Sequence, residues 1–172
     1  GADHISAYGL TYEPGTPLHA RLERGAFAAQ DEDQELENLR VARQVLTDSG
    51  LGGYEVSNFS TSGQECVHNL NYWANGPYVG IGPSAASHVE RTRSGNARSL
   101  ARWSRSVHQE GSKPLYTETL EPLERLGETW WLGLRLARGV SPAEAAATAG
   151  WTGKDPTAPI QQKLMADGLL EC

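Results

Sequence analysis

The sequence predicts an α/β fold in its first half and a mainly helical second half. A strand–helix–strand succession covers the first half, with strands at 4–10 and 53–59 and a helix at 31–49 between them. This spacing is typical of a βαβ unit in a parallel sheet. From Ser99 onward, apolar residues instead recur at helical spacing. The 172 residues, 38% of them hydrophobic, suffice for one domain or two small ones.

End signals predict the helices of the first half. A short helix is expected from Pro17 to about Arg24, stopped by Gly25. The long helix has Asp31 as a plausible N-cap, and acidic residues in its first turns favour the positive end of the helix dipole. Gly50 is placed to end this helix in a left-handed conformation.

The middle of the chain is expected to be irregular from 60 to 76, followed by a short apolar strand at 78–82. The turn Ser94-Gly95-Asn96 marks a domain boundary. We therefore predict an α/β part at 1–95 and a helical part at 96–172.

Four helices are predicted in that second part. They cover 99–110, 122–138, a segment opened by the capping box at Ser141 and ending near Gly150, and 159–167. A strand is expected to begin at 169–171. This order is similar to that of a winged-helix module, a class that often binds DNA.

Charge argues against nucleic acid as a partner. The net charge is −6, and residues 113–172 carry six basic and eight acidic side chains. A lid, packing or protein-interaction role is therefore favoured for the second part. No run of about 18 apolar residues predicts a membrane span, and the first residues do not show the pattern that would predict a signal peptide. The first residue is not Met and a strand pattern begins within four residues, so we expect this chain to be the middle of a longer one.

The run His68-Asn69-Leu70-Asn71-Tyr72-Trp73 is the strongest candidate site. It joins an imidazole, two carboxamides, a phenol and an indole, and neither a strand nor a helix period explains that mixture. Each side chain carries a polar group that needs a partner. The run predicts a cleft for a flat ligand with polar edges.

Glu55 and Ser57 form a second candidate. On a strand they would share one face, opposite Val56, and the mouth of a parallel barrel is where active sites are built. A solvent-facing Glu on an ordinary strand is an equally good interpretation.

Three further patterns favour structural interpretations. Gly80-Ile81-Gly82 lacks a third glycine, so a strand-to-loop corner is favoured over a dinucleotide site. Cys66 and His68 have no third ligand nearby, and with Cys172 they form neither a zinc motif nor a disulfide framework. The scattered residues His4, His19, His88 and His108 are interpreted as ordinary polar residues.

Several motifs together carry a family resemblance. The sequence resembles the oxygen-independent coproporphyrinogen III oxidase-like radical S-adenosylmethionine proteins, and in particular their haem-chaperone branch. The motifs occur in this order: His4-Ile5-Ser6-Ala7-Tyr8-Gly9-Leu10-Thr11, Glu13-Pro14-Gly15-Thr16-Pro17, Tyr54-Glu55-Val56-Ser57-Asn58-Phe59, the run at 68–73, and Gly80-Ile81-Gly82-Pro83-Ser84-Ala85.

The resemblance implies the last strands of a partial (β/α) radical-SAM barrel, followed by a small, mainly helical, winged-helix-like C-terminal domain. It implies a 4Fe-4S cluster and S-adenosylmethionine in the whole protein, with Thr11 and Ala86 matching contacts of the related oxidase to a second S-adenosylmethionine. The pattern His-Asn-x-x-Tyr-Trp implies haem contacts. Imidazole can ligate iron, so His68 is the candidate metal ligand, while aromatic rings such as Tyr72 and Trp73 can pack on a porphyrin.

The cluster of this family needs three cysteines spaced C-x-x-x-C-x-x-C, which Cys66 and Cys172 cannot supply. The ligands are therefore expected in a missing N-terminal part of the barrel, and this chain alone is not expected to perform radical chemistry. The resemblance implies a cytoplasmic protein that binds haem and passes it to haem-accepting proteins. Two alternatives stay open: oxidative decarboxylation of coproporphyrinogen III, and a winged-helix protein-interaction module without a ligand.

Overall fold

The structure is a computed structural model, and it describes residues 1–171; Cys172 lies outside the described residues. The chain forms two compact units, the first comprising Gly1–Cys66 and the second beginning at Val67. Among residues 1–171, no helix combines the length and apolar character that crossing a bilayer requires.

The first unit contains three short strands and two helices. They are β1 (His4–Ser6), α1 (Pro17–Glu23), α2 (Glu32–Asp48), β2 (Gly52–Gly53) and β3 (Asn58–Ser60). The strand order is β1-β3-β2, and both pairings are antiparallel. The predicted parallel pairing is therefore wrong for these strands.

The reversal lies inside the segment that was predicted as one strand, 53–59. The Tyr54 backbone N–H donates to the Asn58 carbonyl at 3.1 Å, which closes a tight connection between β2 and β3. Both strands then pair in one hairpin, with Gly53 opposite Phe59. Since apolar alternation continues through the connection, the sequence pattern does not reveal the turn.

The predicted end signals of α2 are confirmed. The Asp31 side chain accepts a hydrogen bond from the Gln34 N–H at 2.9 Å, and Gly50 adopts a φ of 84°. This stabilises both ends of the helix. No residue of α2 is buried, although its apolar side chains follow a helical stripe.

The second unit combines helices with a small sheet. Its elements are α3 (Val67–Trp73), β4 (Ala86–Val89), β5 (Thr92–Gly95), α4 (Leu100–Gln109), β6 (Tyr116–Thr119), α5 (Pro122–Gly133), α6 (Pro142–Ala149) and α7 (Ala158–Ala166). The antiparallel order is β4-β5-β6.

This sheet was not predicted. Ser94 and Gly95 lie in β5 rather than in a turn, and β5 pairs with β6 across the predicted boundary at 95/96. That boundary, as a division of the family's domains, stays a prediction. The predicted strand at 78–82 is reduced to a single bridge between Tyr78 and His88, and residues 169–171 form no strand.

The core of the second unit lies between α5 and α6. Leu126 and Ala145 are fully buried, and Trp130 and Ala149 pack in the same cluster. The capping box at Ser141 is confirmed, which fixes the start of α6. Helix α5 ends at Gly133, five residues earlier than the predicted end at 138, and a series of turns then leads to α6.

Candidate functional site

Helix α3 carries the aromatic run, which was predicted to be irregular. Residues four apart share a helix face, so His68 lies beside Tyr72, with ring centroids 4.5 Å apart in an edge-to-face arrangement. Asn69 and Trp73 have the same spacing. On the helix, the run therefore forms two neighbouring pairs of side chains. In the pair His68–Tyr72, His68 is exposed; in the pair Asn69–Trp73, both side chains are half-buried.

One wall of an open depression of about 340 Å³ is formed by α3. Three of the four predicted haem-contacting residues line it, while His68 does not and is exposed. The lining residues are Asn69, Tyr72, Trp73, Asn75, Gly76, Tyr78, His88, Arg93, Glu128, Trp131 and Leu132.

A cation lies between two indoles beside this depression. The Arg135 guanidinium carbon is 4.9 Å from the ring centroid of Trp73 and 4.9 Å from that of Trp131. Such stacking favours a fixed orientation of both rings. The Trp73 indole Nε1 is buried and has no hydrogen-bond partner among the described residues.

Asn75 anchors the turn that follows α3. It is 3% exposed and has a φ of 54°, a left-handed conformation that Asn tolerates better than most residues. Its Nδ2 donates to Glu128 Oε2 at 3.2 Å and to Thr129 Oγ1 at 3.0 Å. These bonds tie the end of α3 to α5.

Arg93 and Glu128 place a charge pair on the floor of the depression. Arg93 Nη2 contacts Glu128 Oε1, and Arg93 Nη1 lies 3.9 Å from Glu118 Oε2. Side-chain exposures of 32% for Arg93 and 17% for Glu128 make this pair less screened than a surface pair.

Two titratable rings complete the wall. His88 is 2% exposed, and its pKa is lowered, first by burial and then by the positive charges of Arg125 and Arg93. Its ring centroid lies 6.1 Å from that of Tyr78, whose pKa is raised chiefly by burial. The imidazole of His88 is therefore neutral near pH 7. Sequence reasoning missed Tyr78, His88 and Arg93, because His88 and Arg93 lie on strands that were not predicted and Tyr78 pairs with one of them.

Glu55 and Ser57 lie in the connection between β2 and β3 of the first unit. The expectation that they share the face of one strand is wrong, since the chain reverses there. Glu55 is 3% exposed, and its Oε1 accepts a hydrogen bond from the Ser57 backbone N–H at 3.1 Å. The carboxylate is partnered by its own loop.

The remaining predicted positions are exposed. Thr11 lies in the loop after β1, in the first unit, and Ala86 begins β4, in the second unit. Cys66 is a free thiol. Within residues 1–171, no three His, Cys, Asp or Glu side chains gather as a metal site.

Comparison with known proteins identifies relatives over most of the chain, although no protein-family profile matches it. The heme chaperone HemW of Synechocystis is 37% identical over 147 residues, which cover 84% of this chain and 35% of that protein. HemW of Mycobacterium tuberculosis strain H37Rv is 34% identical, covering 99% of this chain and 42% of that protein.

A mitochondrial mouse protein, radical S-adenosyl methionine domain-containing protein 1, is 37% identical over 81% of this chain and 33% of its own length. This chain thus spans well under half the length of these relatives. Among solved structures, coproporphyrinogen III oxidase (HemN) from Escherichia coli, described as a radical SAM enzyme, matches with a TM-score of 0.73. That match covers all of this chain and 43% of HemN at 16% identity, and it shows a shared fold.

Proposed function

The chain belongs to the HemW- and HemN-like radical S-adenosylmethionine family, as a C-terminal portion of it, and from this we propose that it forms the haem-binding part of a protein that passes haem to acceptor proteins. One observation carries the proposal. Asn69, Tyr72 and Trp73 lie on one helix and line a single depression.

Shape and chemistry of the depression suit a flat, largely apolar ligand. Tyr72, Trp73, Tyr78 and Trp131 offer aromatic surface, on which a tetrapyrrole can pack face-on or edge-on. A volume of about 340 Å³ is near the lower end for ligand pockets, which run from roughly 300 Å³ upward. A haem in this position would keep part of its edge in solvent, which suits a carrier that releases its cargo.

Charged groups at the depression would orient the ligand. Haem carries two propionates, and Arg93 is the guanidinium that lines the wall. Glu128 already pairs with Arg93, so a propionate competes with a resident carboxylate for the same cation. This competition would limit affinity and favour release.

The proposal is tested by titrating haem into the full-length protein and following its absorbance. We expect saturable binding that weakens in Tyr72→Ala, with Tyr116→Ala as a matched control on β6, outside the depression. Equal binding by the wild type and Tyr72→Ala would remove α3 as the site. Transfer is tested by adding an apo-haemoprotein and measuring the rate at which it acquires the haem.

His68 has a separate test. It is exposed and lies on the Tyr72 side of α3, so it could ligate iron only at the rim of the depression. If His68 is the ligand, His68→Ala changes the absorbance spectrum of the bound haem. An unchanged spectrum would assign ligation to another group.

A second candidate function is oxidation of coproporphyrinogen III, favoured by the fold shared with HemN. In that case Thr11, Glu55 and Ser57, in the first unit, and Ala86, in the second, stay separate predicted contacts of S-adenosylmethionine, and the 4Fe-4S cluster would be held by the rest of the barrel. An anaerobic assay of the full-length protein with S-adenosylmethionine, a reductant and coproporphyrinogen III separates the two. We expect haem binding without decarboxylation; conversion of the propionates of coproporphyrinogen III to vinyl groups, giving a decarboxylated porphyrinogen, would favour the oxidase.

A further inference from the structure

His88 differs from the other histidines that the sequence contains. It is 2% exposed, it lines the depression, and its Nε2 has no hydrogen-bond partner among the described residues. A buried polar atom without a partner is costly, and such atoms in a native fold are few. His88 belongs to the wall of a ligand-sized depression, so a ligand that reached Nε2 would supply the missing partner.

The protonation state of His88 suits a ligand for a metal. Its ring makes a hydrogen bond to the backbone of Glu90, which must use Nδ1 because Nε2 has none. With the proton on Nδ1, the Nε2 atom carries a free lone pair. Burial and the positive charges of Arg125 and Arg93 keep the ring neutral, which is the form that binds iron.

His68, the other candidate, lacks these features. It is exposed, and it does not line the depression. The bond from Nδ1 to a backbone carbonyl also gives His88 the outer support that orients metal-bound imidazoles in proteins.

We propose that His88 would supply a nitrogen ligand, through Nε2, to the iron of a haem bound against Tyr72 and Trp73. The inference rests on the haem-binding function proposed above. Nε2 is closed to solvent, so iron reaches it only after a side chain of the wall moves.

The test is a ligand exchange in the full-length protein. His88→Met replaces the imidazole by a thioether, which also ligates haem iron and gives a different absorption spectrum and reduction potential. His88→Ala removes the ligand, and we expect about tenfold weaker haem binding that added imidazole restores. His108→Ala, at the exposed end of α4, is the matched control.

Each outcome decides one point. An altered spectrum in His88→Met and recovery of His88→Ala by imidazole support the ligation. If His88→Met binds haem with the wild-type spectrum, His88 is not a ligand, although the protein still binds haem. If the wild type binds no haem, both the ligation and the proposed function fail.

Loss of folding in the His88 variants is measured separately from haem binding. Circular dichroism and thermal melts of each variant identify loss of structure, because the His88 side chain is buried. If His88→Ala melts like the wild type and its haem affinity is unchanged, the ligation is refuted without use of the Met variant.

Discussion

Each of the two units contains a buried polar site, and the two sites differ in whether their polar atoms have hydrogen-bond partners. In the first unit, the Glu55 carboxylate is 3% exposed and is partnered by the Ser57 N–H of its own loop. In the second unit, the residues Trp73 and His88 line a depression, and their nitrogen atoms Nε1 and Nε2 are buried without a partner among the described residues.

The difference separates a structural polar group from one available to a ligand. A partnered carboxylate stabilises the turn that carries it, and a new ligand would have to displace that bond. The indole N–H of Trp73 and the Nε2 atom of His88 have no such partner, so their desolvation cost is not offset by a hydrogen bond. Burial of a polar group alone therefore does not indicate a ligand site. A stronger indication is a buried polar atom that has no hydrogen-bond partner and belongs to a residue lining a depression.

Asn75→Ala tests the structural side of this comparison and has the largest expected effect. It removes two side-chain hydrogen bonds and places Ala at a φ of 54°. We expect the free energy of unfolding to fall by about 2–3 kcal/mol in denaturant titrations. Asn75→Gly relieves the backbone strain and should recover part of the loss; no difference between the two variants would show that strain contributes nothing.

Trp73→Ala tests the ligand side. It removes the indole that lines the depression and stacks on Arg135. We expect haem affinity to fall roughly tenfold, or about 1.4 kcal/mol. Trp73→Phe keeps a ring and should lose less. Equal loss in both variants would assign the effect to the indole N–H rather than to stacking.

Glu55→Gln is the matched change in the first unit. The amide keeps an oxygen acceptor for the Ser57 N–H, so we expect about 1 kcal/mol or less of lost stability, measured by denaturant unfolding. Haem binding should not change. Weaker haem binding in this variant would overturn the contrast between the two sites.

The smallest effect expected is on the pH dependence of stability. The folded-state pKa of His88 lies below its ordinary value of 6.5, so the unfolded chain binds more protons than the folded chain in this window. Stability therefore falls as pH drops below about 6.5 toward the lower folded pKa. The groups acting on the ring are Arg125, Arg93 and the backbone of Glu90.

Denaturant unfolding at about pH 7 and about pH 5 measures this dependence. His88→Gln cannot take up the proton, so its stability should fall less over the same interval. An identical fall in the variant and the wild type would mean that other groups cause the acid sensitivity.

Much of the helical structure could be predicted. Asp31 and Ser141 fix helix starts through local hydrogen bonds to nearby backbone N–H groups, and Gly50 and Gly150 end helices in left-handed conformations. Such interactions span three or four residues, so the local sequence contains them. The direction and partners of the strands depend on distant segments, and the parallel pairing and the turn at Ser94-Gly95-Asn96 were wrong for that reason.

The sequence by itself determined the family and the helix ends: the run at 68–73 and the motifs around it carry the family resemblance, and hydrogen bonds between residues three or four apart fix the ends of the helices. Tertiary structure alone decided how they are used. Folding α3 as a helix turned His68 outward from the depression, and the pairing of His88 with Tyr78 brought a different imidazole to its wall. Contacts between segments far apart in the chain determine which histidine lines the depression, because the burial of a side chain and its hydrogen-bond partners are properties of the folded chain.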